Sequence, residues 1–111
     1  MIPEITTTEL AAKLKSDEKF ILLDVREPVE LEYAKLTDTR LEVTPMSRLA
    51  EEGLDALSES ARSQDVVIYI LCHHGNRSGQ VAAWLAQSQG AAAEPVRAQL
   101  KAWVAEYTPS R

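Results

Sequence analysis

Residues 66–71 read Val-Val-Ile-Tyr-Ile-Leu, and no other stretch of the chain limits its fold so tightly. The run is too short for a core helix and too evenly apolar for a strand with one wet face. It predicts a strand buried on both sides, as in the middle of a parallel sheet. A polar turn follows, Cys72-His73-His74-Gly75-Asn76-Arg77-Ser78, and then Val81, Ala82, Trp84, Leu85 and Ala86 recur at helical spacing until Gly90 supplies a stop. Residues 20–25, Phe-Ile-Leu-Leu-Asp-Val, form a second continuous apolar run, ending near Asp24. Pro28 suits the first turn of a short helix over 29–34, with Glu30 and Glu32 on its wet face. Strands alternating with helices predict an α/β fold, a mostly parallel sheet with helices on its faces.

The remaining segments fill in this frame. Thr8 is a candidate cap for a helix carrying Leu10, Ala11 and Leu14, which Ser16 and Asp17 end. Residues 40–44 alternate charged and apolar side chains and are closed by Pro45, as a brief strand near a sheet edge would be. Ser47 is placed to cap a helix with Leu49, Leu54 and Leu57 on one stripe, with a break at Gly53. Residues 58–64 read as a polar connection. Beyond Gly90, three alanines and Pro95 predict a strand of at most about three residues near Ala92 to Glu94. A closing helix over 98–107, containing Leu100, Trp103 and Val104, is expected to begin soon after Pro95. There are no repeats or linkers, and residues 1–111 read as one domain.

Composition excludes several functions. A chain of 111 residues can bury a single adequate core without staples. Cys72 is the only cysteine, so no internal disulfide forms, and no leader pattern precedes residue 20; a reducing, cytoplasmic setting is expected. The longest apolar run has seven residues, against the roughly 20 of a spanning helix, so no membrane partner is expected. The net charge of −5 and the lack of a basic stripe argue against nucleic acid. No protein partner is specified.

The chemistry concentrates where strands end. In open α/β sheets, ligands sit beyond the carboxyl ends of the strands, and Asp24 and Cys72 both arrive there. Cys72 follows a rigid strand and precedes a helix, whose N-terminal amides and dipole favour a thiolate over a thiol, with Arg77 as the nearby cation. A loop with a nucleophile at its floor, a glycine for curvature and Arg-Ser at a helix start is an anion cradle. Most lone cysteines are merely small buried hydrophobes; Cys72 differs in leading into a polar turn instead of continuing an apolar stripe. Three adjacent residues, Cys72, His73 and His74, can hardly converge on one tetrahedral ion, so no metal is expected. The histidines either line the loop mouth as donors or are solvated. Asp24 and Arg26 are either surface charges at a strand end or outer residues that orient the loop.

Residues 22–28, Leu-Leu-Asp-Val-Arg-Glu-Pro, and 66–78, an apolar strand running into Cys-His-His-Gly-x-Arg-Ser, together resemble the rhodanese-like family of single-domain sulfurtransferases. The resemblance covers most of the chain. It implies a three-layer fold with a sheet of about five strands, the Val66 strand central and the Arg40 strand at an edge. It implies that Cys72 is the nucleophile, taking the outer sulfur of a small anionic donor such as thiosulfate as a persulfide and passing it to a thiol or cyanide acceptor. Amides from His73, His74, Gly75, Asn76, Arg77 and Ser78 would hold the persulfide, Arg77 would steer the donor, and no cofactor would be needed. A cysteine-based phosphatase or arsenate reductase shares the scheme of a thiolate beneath an anion loop. Four residues separate Cys72 from Arg77, one fewer than in those enzymes, so the cradle is smaller. A non-catalytic module that kept only the fold is the third reading, and an intact Cys72 and Arg77 speak against it.

Overall fold

A computed structural model describes residues 2–27, 38–63, 66–72, 76–90 and 93–104. Along the chain come β1 (Glu4–Ile5), α1 (Thr7–Leu14), β2 (Phe20–Asp24), β3 (Leu41–Val43) and α2 (Met46–Glu52), then a 3-10 turn (Gly53–Ala56) and α3 (Glu59–Ser63). β4 (Val67–Leu71), α4 (Asn76–Gln87), α5 (Ala93–Gln99) and β5 (Leu100–Val104) complete it. The strands form one five-stranded sheet in the order β1-β5-β4-β2-β3, each pair parallel. The expected α/β architecture is therefore present, with β4 central and β3 at an edge. From β2 the chain moves outward to β3, whereas β5, which follows β4, lies on the opposite side. The carboxyl ends of β2 and β4 thus flank a topological switch point, where crevices form in such sheets.

The sheet is covered on both faces. Ile21, Leu23, Ile68 and Ile70 pack with Leu49 of α2, Ala61 of α3, Val81 and Leu85 of α4 and Val96 of α5. Phe20, Leu22, Tyr69 and Leu71 point the other way and meet Leu10 of α1, with the Phe20 and Tyr69 rings edge to face at 5.3 Å. Two-sided burial is why β2 and β4 read as unbroken apolar runs. Arg40, just before β3, ties the second layer together. Its guanidinium donates to the carbonyls of Leu14 (2.7 Å) and Glu18 (2.9 Å), to the Asp38 carboxylate (2.8 and 3.0 Å), and lies 4.6 Å from the Phe20 ring centre. These bonds from Arg40 hold the Asp38 carboxyl below the usual carboxylate range.

Several local expectations need correction. The cap of α1 is Thr6, not Thr8: its hydroxyl accepts from the Glu9 amide (3.0 Å) while the Glu9 carboxylate accepts from the Thr6 amide (3.1 Å). Threonine followed three residues later by glutamate was the legible signal. Ser47 is the second residue of α2, not its cap; Pro45 precedes the helix and offers no side-chain bond. Residues 59–63, inside the supposed polar connection, are helical. The break at Gly53 is present, at φ 64° and ψ −142°. The helix expected over 29–34 lies outside the described residues.

The largest correction is at the C-terminal end. Helix α5 begins at Ala93, before Pro95, and ends at Gln99; the residues expected in a closing helix, Leu100, Trp103 and Val104, form β5 instead. Pro95 fits the first helical turn, where amide hydrogens have no intrahelical partner. The spacing of Leu100, Trp103 and Val104 suits either structure, and the open ladder between β1 and β4 decides for a strand. Ile68 pairs with Leu100 and Tyr69 with Ala102, so Lys101 is an extra, exposed residue at an irregularity. Burial still alternates along β5, but its apolar residues divide between the two faces, Leu100 and Trp103 on one and Ala102 and Val104 on the other, so no single apolar face marks the strand. β1 is only two residues long, too short to show any periodicity.

Candidate active site

Cys72 follows directly on β4, whose last residue, Leu71, pairs with Asp24 of β2. The cysteine is buried, with 1% of its surface exposed. Helix α4 starts four residues later, and Ser78, its third residue, turns back onto the sulfur. The Ser78 amide donates to Cys72 Sγ at 3.2 Å, and the thiol donates to Ser78 Oγ at 3.3 Å. The Ser78 hydroxyl in turn donates to the carbonyl of Val104 at 3.1 Å, at the end of β5. An amide in the first turn of a helix has no intrahelical acceptor, and here it finds one in sulfur. An N–H aimed at Sγ from a helix start favours negative charge there.

Arg77 is the second residue of α4 and is partly exposed; Asn76 is the first. His73, His74 and Gly75 lie outside the described residues. Sequence reasoning thus placed Cys72 at the end of the central strand, whereas Asn76, Arg77 and Ser78, read as part of the polar turn, are the first three residues of α4. It missed the carbonyl of Val104, 26 residues from Ser78. A backbone acceptor leaves no mark on the sequence, and its strand was expected to be a helix.

The neighbouring corner is built from Asp24, Val25, Arg26 and Glu27. Asp24 and Arg26 are not surface charges at a strand end: both are fully buried. Arg26 Nε donates to both Asp24 oxygens (2.9 and 3.0 Å), Nη2 donates to Oδ2 (2.6 Å), and the Arg26 amide donates to Oδ1 (3.0 Å). Backbone bonds then join three strand ends. The Val25 amide donates to the Leu71 carbonyl (3.0 Å), the Thr44 amide to the Asp24 carbonyl (2.8 Å) and the Met46 amide to the Val25 carbonyl (3.1 Å). Glu27 accepts from both the amide (3.1 Å) and the hydroxyl (2.7 Å) of Ser47, and so supplies the cap that Pro45 cannot. The segment fixes the ends of β2, β3 and β4 against one another directly beside Cys72.

A buried cysteine between a central parallel strand and a helix start, flanked by a buried Asp-Arg pair, can be compared with known proteins. The family model described as "Rhodanese-like domain" matches residues 6–106. The chain belongs to the rhodanese-like family. A protein named "Sulfurtransferase" from Allochromatium vinosum is 31% identical over 109 residues, covering 98% of this chain and 94% of that protein. "Rhodanese-like/PpiC domain-containing protein 12, chloroplastic" from Arabidopsis thaliana is 38% identical over 93 residues. This rhodanese-like chain spans only 29% of that longer protein's length. A rhodanese-related protein from Thermoplasma volcanium superposes with a TM-score of 0.63 at 24% identity, over 94% of this chain and 85% of that one. A rhodanese-like domain protein from Staphylococcus aureus does so with the same score at 22% identity, over 95% and 87%. Those two likenesses bear on the fold alone. No helix among the described residues is long and apolar enough to cross a membrane.

Proposed function

We propose that this rhodanese-like domain transfers sulfane sulfur through a persulfide on Cys72. The observation that carries the reading is the Ser78 amide aimed at Cys72 Sγ from the start of α4, in a chain whose near full-length relative is named a sulfurtransferase. The Cys72 thiolate attacks the outer sulfur of thiosulfate; a sulfur–sulfur bond forms to Cys72, the sulfur–sulfur bond of thiosulfate breaks, and sulfite leaves with the electron pair. A thiol or cyanide acceptor then attacks the outer persulfide sulfur and takes it, returning Cys72 as thiolate. The amides of residues 73–78 hold the terminal sulfur, and Arg77 steers the anionic donor with its planar fork. The Asp24–Arg26 pair keeps the floor of the site rigid. The scheme calls for no metal or cofactor.

Thiosulfate and cyanide are the test pair, with thiocyanate followed by absorbance and intact mass read after thiosulfate alone. Wild-type protein is expected to gain the mass of one sulfur atom and to form thiocyanate. Cys72→Ser is expected to fold and do neither, because serine's oxygen is neither acidic enough nor able to carry the sulfur. Turnover by the serine variant, or hydrolysis of a phosphate ester by a wild-type protein that forms no thiocyanate, would overturn the reading. Arg77→Lys should raise the half-saturating thiosulfate concentration, since a point charge replaces a two-pronged donor.

A further inference from the structure

We propose that Ser78 is a positioning residue for the Cys72 sulfur: its hydroxyl, anchored on the Val104 carbonyl, receives the thiol hydrogen and turns to donate to sulfur once that hydrogen has left. A serine hydroxyl has one hydrogen to give and two lone pairs to offer. Donation to Val104 at 3.1 Å commits the hydrogen and leaves the lone pairs for the Cys72 thiol at 3.3 Å. The bonds therefore run in one direction, from S–H to O–H to the carbonyl. When the thiol proton passes to a solvent base, Sγ becomes an acceptor only. A hydrogen bond to an anion is roughly twice as strong as one to a neutral carbonyl, so the hydroxyl hydrogen swings from Val104 to Sγ. Only the hydrogen moves, because both oxygens and the sulfur are already within bonding reach.

The anchor is rigid for a reason visible in the sheet. Val104 is fully buried and ends β5, which lies between β1 and β4. Ser78 is likewise fully buried, and its own amide is already on the sulfur at 3.2 Å. One residue thus presents two donors to Sγ, one permanent and one released on ionisation. A small residue without a hydroxyl, such as alanine, would offer neither the relay nor the second donor.

The proposal rests on Cys72 being the nucleophile, so its test uses iodoacetamide, a neutral carbon electrophile that needs no sulfur donor. The sulfur–carbon bond forms, iodide leaves and the thiol proton goes to buffer. Ser78→Ala is expected to be alkylated about tenfold more slowly than wild type at neutral pH, the scale of one charge-assisted hydrogen bond. Its alkylation profile should move to higher pH, and Ser78→Thr, which keeps the hydroxyl, should recover most of the rate. Equal rates for Ser78→Ala and wild type, or a folded Ser78→Thr no faster than Ser78→Ala, would overturn the proposal. A second readout needs no variant. Cys72 is the only cysteine, so the chain has one S–H stretching band in the infrared. That band, recorded with the thiol protonated, is expected at the lowered wavenumber of a hydrogen-bonded donor; a band at the position of a free thiol would overturn the proposal. Slow alkylation of Ser78→Ala in a protein that forms no thiocyanate would support the relay while removing the sulfur-transfer reading.

Discussion

Replacing Asp24 by asparagine changes almost no volume and removes one buried charge. Arg26 then keeps a guanidinium with no exposed surface beside an amide that offers it one acceptor oxygen and two competing donors. Breaking a fully buried ion pair from one side costs about 3–5 kcal/mol, because the remaining guanidinium loses the carboxylate it is buried against. The three side-chain contacts at 2.6–3.0 Å place this pair among the well-formed ones. For a chain of this length, 1 kcal/mol corresponds to about 4 °C of melting temperature, so Asp24→Asn should melt about 12–20 °C below wild type. Circular dichroism melts and urea titration measure it. The double variant Asp24→Leu with Arg26→Met removes both charges and should recover much of the loss. A single variant that melts within about 2 °C of wild type, under about 0.5 kcal/mol, would refute the argument. So would a double variant no more stable than the single one.

Gly53 at φ 64° and ψ −142° occupies a region that essentially only glycine adopts, with open space where a Cβ would sit. Gly53→Ala should therefore cost about 1–3 kcal/mol from backbone strain alone, and Gly53→Asn should do no better, because this is not the left-handed helical region asparagine tolerates; urea midpoints check both. Asp38 titrates below the usual range because Arg40 donates to it. Its contribution is present above about pH 4 and lost as the pH falls through the depressed value, so wild type should lose stability more steeply in acid than Asp38→Asn does. Amide hydrogen exchange should show Ala102 to Val104 protected like Ile68 to Leu71, since β5 is an interior strand; rapid exchange there would return those residues to a frayed closing segment.

The sequence alone determined the elements whose environment is uniform. β2 and β4 are buried on both faces, so their residues are apolar without interruption, and a helix with eleven residues after its first, such as α4, repeats its apolar stripe often enough to be read. The junction after Cys72 was legible because the residues that follow break so sharply in polarity from the strand before them, although Asn76, Arg77 and Ser78 belong to the helix itself. What long-range pairing decides was not legible. β5 exists because it completes a ladder beside β4, and β1 because it completes one beside β5; the apolar residues of β5 divide between the two faces of the sheet, which leaves no one-faced stripe to announce a strand. Asp24 and Arg26 carry charges that local rules assign to the surface, and only the neighbouring strand ends enclose them. The carbonyl of Val104 reaches the Cys72 thiol through Ser78 only because the sheet lays β5 beside β4, since a backbone acceptor has no residue type by which a sequence can declare it.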